Sequence, residues 1–187
     1  ATPIRALVID FEDPSTFHAV GFGGGVLTSF DSGTTWRSSS LDIDRSSALA
    51  IAMNPSDPDN LFLGTEGEGV FRSLDGADTW DVFDSGLPVN STVQSIAIAP
   101  AGPTLYAVVS GSGVFKLILP GVTWAASNNG LLHPSLVTDI AVSPATGNTL
   151  IAATNGDGVF RSIDAGANWT AVNTGLGTAT SFRSIAF

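Results

Sequence analysis

The sequence predicts an all-β fold made of four copies of one antiparallel unit, and three observations lead to that fold. All four tryptophans close a similar eight-residue segment and are spaced 44, 44 and 45 residues apart, at Trp36, Trp80, Trp124 and Trp169. Short apolar runs alternate with turns rich in Gly, Pro and Asp. Only 13% of residues are charged, whereas glycine occurs 21 times, a composition typical of short strands joined by tight turns. A four-stranded unit of this length predicts the blade of a β-propeller.

Each copy repeats the same order of strands and turns. In the first copy, the apolar runs Leu7–Ile9, Phe17–Val20 and Val26–Ser29 are separated by glycine or proline turns, and a fourth strand is predicted at 35–37. A Gly-Leu dipeptide follows the second, third and fourth copies, at 86–87, 130–131 and 175–176. The chain is therefore predicted to be one β-propeller, or part of one, with blades at 4–47, 48–92, 93–136 and 137–180 and a further blade beginning at 181–187.

The sequence leaves open the number of blades in the closed ring. Four blades would close a small ring, but residues 181–187 would then repeat the first strand that Leu7–Ile9 already supplies. We therefore expect a ring of more than four blades. The further blades would come from residues after Phe187 or from self-association with a second copy, because an open propeller exposes sheet faces and edges.

The repeated eight-residue segment has a structural explanation. Its aspartate can accept hydrogen bonds from the backbone of its own turn, and the following glycine supplies a left-handed backbone position. The tryptophan is expected on the next strand, where an aromatic ring can bury about 150–250 Å². The positions assigned to this structural motif are Ser29, Asp31, Gly33, Trp36, Ser73, Asp75, Trp80, Gly121, Trp124, Ser162, Asp164, Gly166 and Trp169.

The first copy, Ser29 to Trp36, resembles the Asp-box, also called the bacterial neuraminidase repeat (BNR). Families with this repeat include sialidases, xyloglucan-active glycoside hydrolases, sortilin-type receptors and photosystem II assembly factors. The resemblance implies a β-propeller with each box between the third and fourth strands of a blade, away from the ligand-bearing face. Three copies depart from the motif. Ala77 replaces its glycine, Asn168 replaces its threonine, and in the third copy Leu117 and Leu119 replace serine and aspartate, which leaves Pro120 to hold that turn.

Composition argues against several functional classes. A net charge of −10 with only seven Lys and Arg residues disfavours nucleic acid as a partner. No apolar run reaches the length of a membrane span. The absence of cysteine excludes disulfides and thiolate metal sites, and neither His18 nor His133 has further ligands at metal-binding spacing. We predict no metal and no cofactor.

Several residues are candidates for a binding face. Glu66, Glu68 and Asp157 lie in the glycine-rich turns between second and third strands, and a border around a central opening is predicted from Asp44, Arg45, Gln94, Asp139 and Arg183. Glycosidases need two carboxylates about 5–9.5 Å apart, but acids in glycine-rich turns are usually solvated, so no catalytic residue is assigned.

Other residues argue against a sialidase. The single tyrosine, Tyr106, lies in an apolar strand, which favours a buried structural role over that of a nucleophile. Arg72, Lys116 and Arg161 recur at one position per blade, just before the box, which favours an architectural role over anion binding.

The sequence favours a non-enzymatic, extracytoplasmic binding or scaffold module that contacts protein or glycan partners. This choice depends on a rigid surface of many loops combined with no recognisable constellation of nucleophile, base or metal ligands. Two alternatives remain open. One is a glycoside hydrolase with its catalytic carboxylates on the loop face or in sequence outside residues 1–187, and the other is an assembly subunit of a larger membrane or surface complex.

Overall fold

The computed structural model describes residues 3–21, 23, 25–39, 47–100 and 104–187. Within these ranges sixteen strands form four antiparallel sheets of four strands each, and the one helical element is a short 3-10 helix at Pro134–Leu136. The predicted all-β fold is confirmed. The chain divides into two compact units, of which the first comprises Ala1–Asp84 with Val89–Val93 and the second Ser85–Pro88 with Gln94–Phe187.

Each sheet is a meander in which successive strands pair side by side. We call the sheets blades one to four. Blade one contains β1 (Ile4–Ile9), β2 (Phe17–Gly21), β3 (Val26–Ser29) and β4 (Arg37–Ser38), and blade two contains β5 (Ala48–Asn54), β6 (Asp57–Thr65), β7 (Val70–Ser73) and β8 (Asp81–Val82).

The second half of the chain repeats this arrangement. Blade three contains β9 (Val93–Ile98), β10 (Thr104–Val109), β11 (Gly113–Ile118) and β12 (Ala125–Ala126), and blade four contains β13 (Val137–Val142), β14 (Leu150–Thr154), β15 (Val159–Ser162) and β16 (Thr170–Ala171).

Register is the same from blade to blade where equivalent pairs are compared. Leu7 pairs with Ala19 in blade one, Ile51 with Leu63 in blade two, and Ile140 with Ala152 in blade four. Because strand side chains alternate between the two faces of a sheet, equivalent residues lie on the same face of every blade.

Each unit has its own hydrophobic core between two successive blades. In the first unit, Val20 and Val26 of blade one pack with Ile51, Leu61 and Leu63 of blade two. In the second unit, residues of blade three pack with residues of blade four. Blade three contributes Tyr106, Val108 and Val114, and blade four contributes Ile140, Phe160 and Trp169. Apolar burial of this kind supplies most of the free energy that holds stacked blades together.

One strand start differs from the sequence prediction. The fourth strand of blade one begins at Arg37, after the tryptophan, so the predicted start at residue 35 was too early. The reason is that Thr35 bonds the box aspartate and stays part of the turn. In the segment predicted to begin a further blade, Ser181 forms an isolated bridge with Asn155. The candidates Asp44 and Arg45 lie outside the described residues.

Candidate functional site

The first Asp-box closes its turn with its own side chains. Ser29 Oγ donates to Asp31 Oδ1 at 2.8 Å and accepts from the Gly33 N–H at 2.8 Å. Thr35 donates to the same carboxylate through its backbone N–H at 2.7 Å and its hydroxyl at 2.6 Å. These bonds, those from Thr35 foremost, lower the pKa of Asp31 to about 2. Asp31 therefore stabilises its turn as a carboxylate.

The second and fourth boxes keep this network despite their substitutions. Asn168, which replaces threonine, donates to Asp164 through its backbone N–H at 2.9 Å and its side-chain amide at 2.8 Å. Ala77, which replaces glycine, has a φ of 74° and donates its N–H to Ser73 Oγ at 3.0 Å. The left-handed positions predicted for Gly33 and Gly166 are confirmed, with φ of 85° and 82°.

The third box is built differently. Gly121 was predicted to adopt a left-handed conformation, and this was wrong, because it is not among the described residues with positive φ. Its N–H instead donates to the Ile118 carbonyl at 2.9 Å, which closes a turn without a carboxylate. Leu117, at the position of the box serine, is buried in place of the lost polar network. The Leu119–Pro120 peptide bond in this turn is cis.

The four box tryptophans have different environments. The Trp169 ring is buried and its Nε1 donates to the Ser127 carbonyl at 2.8 Å. Trp80 Nε1 is buried and has no hydrogen-bond partner within the described part of the chain. Trp36 Nε1 donates to Gly33 O at 3.1 Å within its own turn, and its ring is exposed. Apart from Trp80 Nε1, the polar groups described for the boxes bond to their own turns or to neighbouring backbone.

Two of the Gly-Leu loops contact a box tryptophan within the second unit, a role that sequence reasoning did not assign. The Trp124 N–H donates to Ser85 O and the Trp169 N–H to Asn129 O, each at 2.8 Å. A Cβ on the next residue, Gly86 or Gly130, would overlap the carbonyl oxygen of that tryptophan. Glycine is required at both positions because the tryptophan backbone lies against it. The recurrence of Gly-Leu was the signal that marked these positions.

The turn between β6 and β7 presents the candidate residues Glu66 and Glu68, both exposed. Thr65 anchors this turn, because its N–H and hydroxyl both donate to Gly69 O, at 3.1 and 2.9 Å. Gly69 N–H in turn donates to Ser91 O at 2.9 Å. The two carboxylates thus extend from a backbone that is fixed at both ends.

The equivalent turn of blade four presents a histidine–carboxylate pair. Thr154 Oγ1 donates to Gly158 O at 2.8 Å and accepts from the Asp157 N–H at 3.0 Å. Asp157 Oδ2 lies 2.9 Å from His133 Nδ1, with the carboxylate largely covered and the imidazole 60% exposed. Sequence spacing gave no sign of this pair, since 24 residues separate its members.

Two candidates for a central opening are engaged in contacts within the fold. Gln94 Nε2 donates to the Val137 carbonyl at 2.8 Å. Asp139 accepts from Ser95 Oγ at 2.6 Å and from the Ile185 N–H at 2.9 Å. Arg183, the remaining candidate among the described residues, is exposed. Gln94 bonds to β13, which follows its blade, and Asp139 bonds to residue Ile185, which follows its blade. A role in ligand binding stays a prediction for Gln94, Asp139 and Arg183.

Two of the three recurring cations, and the single tyrosine, have contacts typical of an architectural role. Lys116 Nζ and Tyr106 OH both donate to the Ala165 carbonyl, at 2.8 and 3.0 Å. Burial raises the pKa of Tyr106 to about 12, which disfavours the phenolate that a nucleophile needs. Arg72 Nε donates to Asn60 Oδ1 at 3.0 Å. Arg161, at the third of these positions, is exposed.

Neither a metal centre nor a membrane helix is found in the described residues. No group of three or more His, Cys, Asp or Glu side chains there is arranged to hold a metal ion. No helix in the same ranges is long and apolar enough to cross a membrane.

Solved structures provide the comparison with known proteins, since no family model and no curated protein sequence matches the chain. An ancestral GH74 enzyme is similar over 92% of this chain, with a TM-score of 0.77 and 19% identity. The GH74 xyloglucanase from Xanthomonas campestris is similar over 91%, with a TM-score of 0.74 and 17% identity. The chain has the fold of the Asp-box propellers. The similarity lies in the backbone fold, since sequence identity is 19% or less.

Two further propellers differ in kind from these enzymes. YCF48 bound to D1 peptide is similar over 95% of the chain, with a TM-score of 0.67 and 17% identity. The extracellular domain of BT4673 from B. thetaiotaomicron is similar over 97%, with a TM-score of 0.72 and 15% identity. The chain spans 24% and 30% of the two GH74 structures, 54% of YCF48 and 23% of the BT4673 domain.

Proposed function

We propose that this chain is a non-enzymatic binding or scaffold module that contacts a protein or glycan partner through its glycine-rich turns. The observation that supports this function is the anchoring of those turns by Thr65 and Thr154, which fixes the backbone that carries the polar side chains. A preformed loop binds with less loss of conformational entropy than a mobile one. Rigid turns on a β scaffold are a common location for recognition.

The side chains on these turns define the kind of partner. Glu66 and Glu68 are exposed acceptors, suited to the hydroxyl groups of a glycan or to the basic groups of a peptide. On the second unit, the exposed imidazole of His133 and the carboxylate of Asp157 behind it form a polar contact point. The peptide complex of the structurally similar YCF48 supports a protein partner.

The test is a binding measurement with matched variants. The protein is screened against an array of glycans and a library of basic peptides, and the double variant Glu66→Gln, Glu68→Gln is compared with Asp81→Asn. Asp81 is an exposed acid in β8, outside these turns. We expect the double variant to weaken binding at least about tenfold, as loss of a charge-assisted contact does, and the control to bind as the wild type does. Equal binding by all three proteins contradicts the proposal.

A second candidate, a glycoside hydrolase, is supported by the likeness to the GH74 enzymes. Such an enzyme needs an acid and a base or nucleophile across a cleft. Glu66 and Asp157 are each tested separately as one member of such a pair. The assay is release of reducing ends from xyloglucan by wild type, Glu66→Gln and Asp157→Asn. Loss of hydrolysis in either variant favours the enzyme, and binding without hydrolysis favours the scaffold.

An extracytoplasmic location and a role in a larger assembly belong to the same proposal. The extracellular BT4673 domain supports the location, and YCF48 in complex with a peptide supports assembly. Fractionation of the cells that make the protein, followed by mass spectrometry of copurifying chains, tests both. Recovery from the cytosol without any partner argues against them.

A further inference from the structure

Blade one has an apolar face that lacks the cover that the equivalent faces of blades two and four have within their units. We call this set, Leu7, Ala19, Leu27 and Trp36, the leading face of blade one, and together with Ile4 it lines an apolar groove of about 290 Å³. Leu7 is 46% exposed and Trp36 is 39% exposed. Large apolar side chains grouped in one groove are typical of an interaction surface.

The repeat shows what covers this face elsewhere. The residues of blade four equivalent to the leading face are Ile140, Ala152, Phe160 and Trp169, and all four belong to the core against blade three. Ile140 and Trp169 are each only 4% exposed. In blade two, the equivalent residues Ile51, Leu63, Phe71 and Trp80 pack against blade one. A leading face is therefore covered by the preceding blade wherever one is present in its unit.

The other face of blade four carries residues equivalent to those with which blade three receives blade four. In blade three the surface that receives blade four contains Tyr106, Val114 and Leu131, all buried, and Gly130 against the Trp169 backbone. In blade four the equivalent residues are Ile151, Val159 and Leu176, all half-buried, and Gly175. We call these four residues the trailing face of blade four. A Cβ on Gly175 would meet nothing within 4 Å.

We propose that the leading face of blade one docks on the trailing face of blade four of a second copy of this chain. The contact extends the interface that already joins blades three and four. The N–H of Trp36 takes the place of the Trp169 N–H and donates to Thr174 O, the equivalent of Asn129 O, while the Trp36 backbone lies against Gly175. The contact joins two different surfaces, so it is heterologous and forms either a closed ring or an extended chain of copies.

The C-terminal segment lies where part of the partner would dock. Phe182 N–H donates to Thr154 O and Phe182 O accepts from Thr138 Oγ1, at 2.8 and 2.7 Å. Gln94 makes the equivalent bond from blade three to Val137 of β13. Residues 181–185 thus occupy the position of a next first strand on blade four. In the assembly, β1 of the second copy replaces them, so the segment competes with self-association.

The test is the mass of the 187-residue chain in solution over a wide concentration series, by sedimentation velocity and native mass spectrometry. We expect a reversible rise from monomer to dimer or larger species. Leu7→Glu places a charge on the leading face and Gly175→Ala places a methyl group on the trailing face, and each is expected to weaken association at least about tenfold. Removal of residues 181–187 is expected to strengthen it.

Matched controls separate the interface from general damage. Ile163→Glu places the same charge on a box residue that is 70% exposed, and Gly177→Ala places a methyl group on a glycine with φ of 63° and nothing within 4 Å. Both controls are expected to associate as the wild type does. Circular dichroism and thermal melting of each variant as a monomer check that it is folded.

A mixing experiment is the sharpest test. Leu7→Glu retains an intact trailing face and Gly175→Ala an intact leading face, so a mixture of the two is expected to form a 1:1 complex although neither associates alone. A wild-type chain that stays monomeric overturns the proposal. A mixture that fails to associate, or weaker association after residues 181–187 are removed, also overturns it.

Discussion

Alanine at Gly130 tests whether the Gly-Leu loops join the blades. Gly130 and Gly175 have nearly the same backbone conformation, with φ of 91° and 89°. Alanine in this left-handed region costs about 1–2 kcal/mol at either site. At Gly130 the added methyl group also overlaps the Trp169 carbonyl oxygen, with the Trp169 N and C atoms both at 3.1 Å. At Gly175 the same methyl group meets nothing within 4 Å.

The difference between the two variants isolates the contact between blades. Overpacking costs about 1–3 kcal/mol, and displacement of Trp169 also weakens its 2.8 Å bond to Asn129 O, worth about 1 kcal/mol. We therefore expect Gly130→Ala to lower the free energy of unfolding by about 2–4 kcal/mol more than Gly175→Ala. Urea titration followed by tryptophan fluorescence, at a concentration where the chain is monomeric, measures this difference. Equal destabilisation of the two variants would refute the reasoning.

Three further predictions concern the boxes and one buried histidine. Trp80→Phe removes a buried N–H that lacks a partner among the described residues, whereas Trp169→Phe leaves a carbonyl unpaired, so we expect Trp169→Phe to cost about 1–3 kcal/mol more in urea titration. The pKa values of Asp31 and Asp164 fall from 3.8 to about 2 on folding. Their contribution is therefore complete above about pH 4 and is lost as pH falls towards 2, so Asp31→Asn should flatten the acid limb of melting temperature against pH. Burial lowers the pKa of His18 below 6.5. The unfolded chain then binds the proton more readily, so the wild type should lose thermal stability as pH falls below about 6.5, and His18→Phe should lose less.

The local parts of the structure were predictable because they depend on residues close in sequence. In the first box, the hydrogen bonds made by Ser29, Thr35 and the Gly33 N–H all join residues of the same turn. The alternation of apolar residues placed the strands, since side chains alternate across a sheet. The sequence also showed that the third box lacks its carboxylate, but it did not show that the turn closes through a bond from Gly121 to Ile118.

The candidate site was only partly visible in the sequence. The turn acids Glu66 and Glu68 could be placed on one turn because the glycines around them mark it. The contact between Asp157 and His133 could not be predicted, since it depends on how the loop after blade three lies against a turn of blade four. Asp139 was predicted to border a central opening, and the structure shows it holding Ser95 and Ile185.

By itself the sequence determined the repeat, the strand order and the box turns, because a fixed spacing and hydrogen bonds within a turn depend on few and nearby residues. Tertiary structure decided the rest. The four box tryptophans occupy the same position in the repeat. Yet the Trp169 ring is buried and bonded to Ser127, whereas Trp36 is exposed. The physical reason is that the environment of each ring depends on the blade beside it, and contacts between residues some 40 positions apart form only when the blades stack.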